Sequence, residues 1–208
     1  MENTRQKSEN FFRTACYFES LLIVLAIFLG WITGIDPFEF LYFSERSVGY
    51  GLFATIPLFL VFLAMEHMSI AEIQNIRKLL LDTIAPYLYR HHWTDLLVLA
   101  AIAGVSEEIL FRGVIQPWME NSWGMNAGLI GSSVLFGLVH AITPLYAFLA
   151  MGVSIYLGLF LDYGGERNLL TPIVIHTAYD FLAFLAIMKT YRSSRVKADA
   201  LKQDHTED

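Results

Sequence analysis

The chain has 208 residues, 55% of them hydrophobic and only 16% charged, with a net charge of −6 and a mean hydropathy of +0.49. A soluble domain of this length carries about a quarter charged residues, so the composition speaks against a soluble enzyme and for a polytopic membrane protein. The acidic balance argues against a nucleic-acid partner, and the single cysteine, Cys16, excludes an intramolecular disulfide and a cysteine-based zinc site.

The pattern predicts an all-α fold: one membrane-embedded helical bundle over residues 1–190, followed by a polar tail, 191–208, expected to be frayed or disordered. The first apolar run, Ala15 to Ile35, lacks a clear cleavage site and reads as an uncleaved span. Further runs follow at Gly49 to Met65, Asp95 to Gln116, Asn126 to Ile142, Leu145 to Leu161 and Thr171 to Met188. Each approaches the roughly 20 residues that a helix needs to cross the hydrocarbon core.

Between the second and third runs, Ile73, Ile76, Leu80 and Ile84 recur at helical spacing opposite Glu72, Asn75, Lys78 and Asp82. This predicts an amphipathic helix broken near Pro86, lying at the interface or packed on the bundle surface. Lysines and arginines cluster before the first span, after the second and after the last, while the opposite loops hold only Arg46 and Arg167. Six spans with both termini cytoplasmic satisfy that bias, and Trp31, Trp93, Trp118 and Trp123 fall near span ends. Ser133 with Gly137, and Ser154 with Gly158, place small residues four apart where helices can approach closely.

Ionisable residues interrupt this background, and inside a span they mark function by default. In the run SEEILFRG, Glu108 and Arg112 lie four apart on one helical face and can neutralise each other, while Glu107 points about 100° away toward a possible cavity. The same three residues would also serve as a purely structural ion network. His140 follows Phe136 by four residues, and His176 and Asp180 are again four apart, so that the carboxylate can fix the imidazole's orientation.

Taken together, Glu107, Glu108 and Arg112, then Phe136 and His140, then His176 and Asp180 form three ordered motifs: EE-x-x-x-R, F-x-x-x-H and H-x-x-x-D. This order and spacing resembles the CPBP family of intramembrane proteases, which includes CAAX prenyl endopeptidases and bacteriocin-processing proteins. The motif-bearing core is 95–188. The resemblance implies an endopeptidase that acts on a membrane-associated protein or peptide, in a multi-pass protein of a bacterial cytoplasmic membrane. It implies that Glu107 activates a water, His140 helps to hold it, and His176 with Asp180 stabilises the oxyanion. Glu108, Arg112 and Phe136 would support the site.

No cofactor is expected, since the H-E-x-x-H zinc helix is missing and an arginine beside the glutamates would repel a cation. In a zinc-dependent version, Glu107, His140 and His176 would be the ligands. Two other classes stay open: a proton-coupled transporter, whose relay would use the same residue types, and a non-catalytic scaffold or immunity protein. A peptide substrate and the lipid bilayer are the expected partners.

Overall fold

The computed structural model describes the backbone of residues 2–204 and the side chains of residues 5–197. The described residues form helices joined by short loops, with no strands. Helix α1 spans Glu2–Thr33 and α2 spans Glu45–Glu66, followed by α3, Ala71–Thr83, and the single turn α4, Ala85–Leu88. Then α5, Trp93–Leu110, passes through a π-helical turn, Phe111–Ile115, into α6, Gln116–Trp123. The remaining helices are α7, Met125–Val139, α8, Pro144–Phe160, and α9, Leu170–Asp204.

Three helical stretches are long and apolar enough to cross a membrane: Arg5–Thr33, Glu45–Glu66 and Leu170–Lys197. They turn large side chains such as Phe18, Phe28, Phe53 and Leu60 outward, as a lipid-facing belt requires. The other expected spans differ in form. At about 1.5 Å per residue, α7 and α8 are shorter than the hydrocarbon core, and the expected third span is a longer rod carrying the π-turn. The six-span count is therefore approximate, while the multi-pass helical character stands.

The amphipathic segment forms α3, with Ile76 buried against the bundle, and Pro86 opens α4 where the break is expected. The sequence reading of the C-terminus is corrected: α9 runs without a break from Leu170 to Asp204, so 191–204 is helix and not a frayed tail. The first turns beyond the apolar span contain Thr190, Tyr191, Arg192, Ser193 and Ser194, with no proline or glycine to stop the helix. Residues 205–208 lie outside the described residues.

What positions the centre is close helix approach. A side chain on Gly104 of α5 would meet Thr177 Oγ1 of α9 at 2.5 Å and its backbone nitrogen at 2.9 Å. Only glycine lets α9 come this near, one turn before the two glutamates. Gly137 does the same for α7 and α8, where a Cβ would stand 2.7 Å from the Ala147 carbonyl. Gly158 faces Leu129 and Gln116, and Gly51 brings α2 against Val174.

The start of α9 is sunk into the bundle. Leu169, Thr171 and Pro172 are almost fully buried. Asn168 caps the helix by accepting from the Leu170 amide at 2.9 Å, and its own amide donates to the Tyr42 carbonyl at 3.2 Å. The Leu169 amide bonds the Phe40 carbonyl at 2.9 Å, so the α1–α2 connection holds the recessed end. Nearby, Arg167 forks onto Asp162 at 2.7 and 2.8 Å and reaches Glu120 of α6 at 2.7 Å. The Asp162 and Glu120 carboxylates hold this guanidinium above its ordinary range.

Candidate active site

Glu107 and Glu108 occupy the last turn of α5, and the π-turn that follows carries Arg112. A π-turn inserts one residue into the helical repeat, and such turns recur at functional sites. Here the Gln116 amide reaches back to the Phe111 carbonyl across the widened turn. Gly113, inside it, lets the Pro37 carbonyl approach to where a Cβ would stand.

Glu108 is wholly buried and its charge is shared. Arg112 Nη1 donates to its Oε1 at 3.1 Å, and His176 Nδ1 lies 2.8 Å from the same oxygen. The second guanidinium nitrogen, Nη2, is spent on the Ser154 carbonyl and hydroxyl at 2.8 and 2.9 Å. Arg112, itself buried, thus ties α5 to α8 while Glu108 ties α5 to α9. Burying an ion pair costs several kcal/mol per ion unless further hydrogen bonds offset it; these contacts do so for Arg112 and for Glu108 Oε1, while Glu108 Oε2 is buried without a hydrogen bond among the described residues.

Glu107 has no arginine at hydrogen-bond distance among the described residues, as its helical phase requires. Its Oε2 is buried and makes no hydrogen bond among the described residues. It faces His140 Nε2 at 3.7 Å and His176 Nε2 at 4.0 Å. His140 sits just past the end of α7, as its C-cap, with Nδ1 held 2.8 Å from the Phe136 carbonyl. Nδ1 of His176 is held by Glu108. Both rings have their Nδ1 engaged by an acceptor, which leaves Nε2 of each turned toward Glu107.

Phe136 is the hub of this arrangement. Its ring stacks on His140 at 4.3 Å, meets Phe111 edge-on at 4.9 Å and approaches His176 at 6.2 Å. The Arg112 guanidinium lies 5.1 Å from its centroid, within cation–π range. Asp180 Oδ2 lies 3.5 Å from His176 Nε2, the nitrogen that also faces Glu107. The expected carboxylate–imidazole pair is therefore present in space, but the partner that orients the ring through Nδ1 is Glu108. That role does not follow from the H-x-x-x-D spacing, because Glu108 and His176 lie far apart in the chain.

All seven residues singled out in the sequence come together. Two further groups join them. Glu19 of α1 lies within electrostatic reach of Glu107, His140, His176 and Asp180, and its Oε2 is buried without a partner. Tyr146, in the first turn of α8, lies within reach of Asp180 and Glu107. A signal for Glu19 exists: Phe12, Ala15, Glu19, Leu22, Ala26 and Leu29 follow a four-three spacing, so an acid occupies an apolar seam. For Tyr146 no spacing in the sequence distinguishes it from other span aromatics. Among the described residues, no three His, Cys, Asp or Glu side chains are grouped so as to hold a metal ion.

No curated protein and no solved structure matches the chain. The model of one family does, described as Type II CAAX prenyl endopeptidase Rce1-like, over residues 89–182. The matched stretch contains every motif residue, from Glu107 to Asp180, and the helices that bring them together. The family is one of proteases, which implies hydrolysis and a peptide or protein substrate. Over that stretch, the chain is similar to the Rce1-like branch of the CPBP family of membrane proteases.

Proposed function

We propose that the protein is an intramembrane endopeptidase in which Glu107 activates a water for attack on a peptide carbonyl. The observation that carries this reading is the buried, unpartnered Glu107 Oε2 facing Nε2 of two histidines at 3.7 and 4.0 Å. Those gaps are too long for direct hydrogen bonds and suit a bridging water. Glu107 takes the water's proton as the oxygen attacks, and His140 Nε2 orients the water. His176, held through Nδ1 by Glu108, presents Nε2 to the carbonyl oxygen and donates to it in its protonated form. Glu107 then returns the proton to the leaving nitrogen, so the peptide bond breaks with protons balanced.

Asp180 has a narrower role than the resemblance implies. It faces the same His176 nitrogen that would donate to the oxyanion, so it holds that N–H in the resting site and yields it as negative charge develops on the substrate. The residues favour a metal-independent reaction, because Glu108 and Asp180 engage His176 from both ring nitrogens and Arg112 brings a fixed positive charge. In the zinc-dependent alternative, Glu107, His140 and His176 would hold the ion. A proton-coupled carrier and a non-catalytic scaffold are the remaining readings.

The deciding experiment incubates purified protein with fluorogenic peptides, prenylated and plain, with and without a chelator, beside Glu107→Gln. Cleavage that survives chelation and disappears in the variant is the expected result. Loss on chelation with recovery in zinc would overturn the metal-independent mechanism but keep the protease. Failure of a folded sample to cut any peptide would favour the scaffold.

A further inference from the structure

A cavity with a defined lining lies away from the candidate active site. It has a volume of about 650 Å³ and opens between α2, α3 and α9. Two helices build its walls, and both change character along their length. On α9 the wall begins with Leu182, Leu185 and Ala186 and continues with Lys189, Ser193 and Lys197. On α2 it begins with Phe59 and Leu63 and ends with Glu66 and His67, where Arg77 of α3 closes the rim. The apolar parts and the cationic parts face each other.

The residues 182, 185, 186, 189, 193 and 197 recur at three- and four-residue spacing and form one stripe on α9. Asp180 and Leu182 are two residues apart, which is about 200° around a helix. The cavity therefore lies on the face of α9 opposite His176 and Asp180, and it is not an extension of that site.

The rim carries unused positive charge. Arg77 Nε lies 3.4 Å from Glu66 Oε2. The Lys189 and Lys197 ammonium groups make no ion pair or hydrogen bond among the described residues. The nearby hydroxyls do not neutralise them, since Ser193 donates to the Lys189 carbonyl and Ser194 to the Thr190 carbonyl, each at 3.0 Å. Three permanent cations and one carboxylate thus line the rim beside an apolar floor. Lys189 is also the first charged residue after the apolar stretch of α9, which places the rim where the hydrocarbon core ends.

We propose that this cavity is a binding site for one anionic phospholipid, with an acyl chain against Phe59, Leu63 and Leu185 and the phosphate between Arg77, Lys189 and Lys197. A molecule with an apolar end and an anionic end fits both halves at once. A free anion would use only the cationic half, and a plain hydrocarbon only the apolar half. Basic pockets between helices at the membrane surface recognise lipid headgroups by this chemistry. The assignment is independent of whether the protein cleaves peptides.

The test uses the full chain in detergent, titrated with dioleoyl phosphatidylglycerol and followed by native mass spectrometry. A single lipid should be retained saturably, while phosphatidylcholine is not. Lys189→Gln with Lys197→Gln should weaken retention roughly ten-fold. Leu185→Trp, which fills the floor and leaves every charge in place, should weaken it as well. Lys7→Gln with Arg13→Gln, a control that removes two cations at the far end of α1, should leave it unchanged. Equal loss in that control would mean diffuse attraction and overturn the site. Unaltered retention in Leu185→Trp would remove the acyl-chain half. Displacement by millimolar inorganic phosphate would show a free-anion site instead. Should the double lysine variant fail to give a monodisperse protein, Leu185→Trp alone decides.

Discussion

Glu107 and Glu108 are neighbours in sequence and belong to different regions of the molecule. Glu108 sits in the seam where α5, α8 and α9 meet: its Oε1 is shared between Arg112 and His176, with Ser154 behind the guanidinium, while its Oε2 is buried without a hydrogen bond among the described residues. Glu107 lies in the region bounded by His140, His176, Asp180 and Glu19, where one of its buried oxygens has no partner. One carboxylate is held by a fixed cation at hydrogen-bond distance, and the other faces two imidazoles beyond that distance. A carboxylate locked to an arginine marks a structural part, and one whose neighbours stand back at 3.7 and 4.0 Å has room for a water and for chemistry.

That contrast can be broken by substitution. Glu107→Gln should abolish cleavage by about 10³-fold or more, within the range that general base catalysis supplies, with an unchanged melting temperature. A folded variant retaining a tenth of the activity would remove Glu107 from the role of base. Arg112→Met should act on stability instead, costing about 3–5 kcal/mol by leaving the buried Glu108 carboxylate with His176 as its remaining partner. Glu108→Gln added to it should recover part of that loss in a thermal melt, because the uncompensated charge goes with it. If the double variant is no more stable than Arg112→Met, the pair is not what holds the seam.

Smaller effects sharpen the picture. Gly104→Val would force Thr177 away and move His176 off Glu108, so kcat should fall by about 10²-fold, the order expected for an ångström of misplacement. Substrate binding should change less, and a fall in KM alone would argue against this. Asp180→Asn should lower activity only several-fold while shifting the pH optimum, since an amide cannot hold or release the His176 N–H as a carboxylate does. Full activity at an unchanged optimum would show that Asp180 has no part in the reaction. Glu19→Leu should raise the melting temperature by a few degrees, because leucine completes the apolar seam of α1 and an unpartnered carboxyl costs about 1–3 kcal/mol. A lower melting temperature would mean that Glu19 has a partner in the membrane.

The motif residues were legible because helical spacing puts Glu108 with Arg112, Phe136 with His140 and His176 with Asp180 on single faces. The pairings between helices were not. Nothing local indicates that Glu108 meets His176, because that contact depends on Gly104 admitting Thr177. Gly164, Gly165 and Pro172 permit a recessed start of α9 without requiring it, and positive φ values of 96° and 90° at the two glycines make the turn. The polarity of 191–204 suggests a frayed tail, yet a polar helix continuing beyond a span needs only the absence of a stop signal. Glu19 was passed over because the first span carries no motif, yet an acid at a seam position deserves the same suspicion as one in a motif.

The π-turn at Phe111–Ile115 couples two anchors that share one rod. Before it, α5 is phased so that Glu107 and Glu108 look toward α7 and α9. After it, Gln116 Nε2 bonds Glu120 at 2.8 Å and Glu120 meets Arg167, next to the buried start of α9. Deleting one residue from the turn would restore an ordinary helix and rotate everything beyond it by about 100°. The glutamates and the Arg167 clamp could then not both keep their partners. The turn works as a clutch plate, setting the angular offset at which the chemical end and the loop end of one helix can engage the same neighbour.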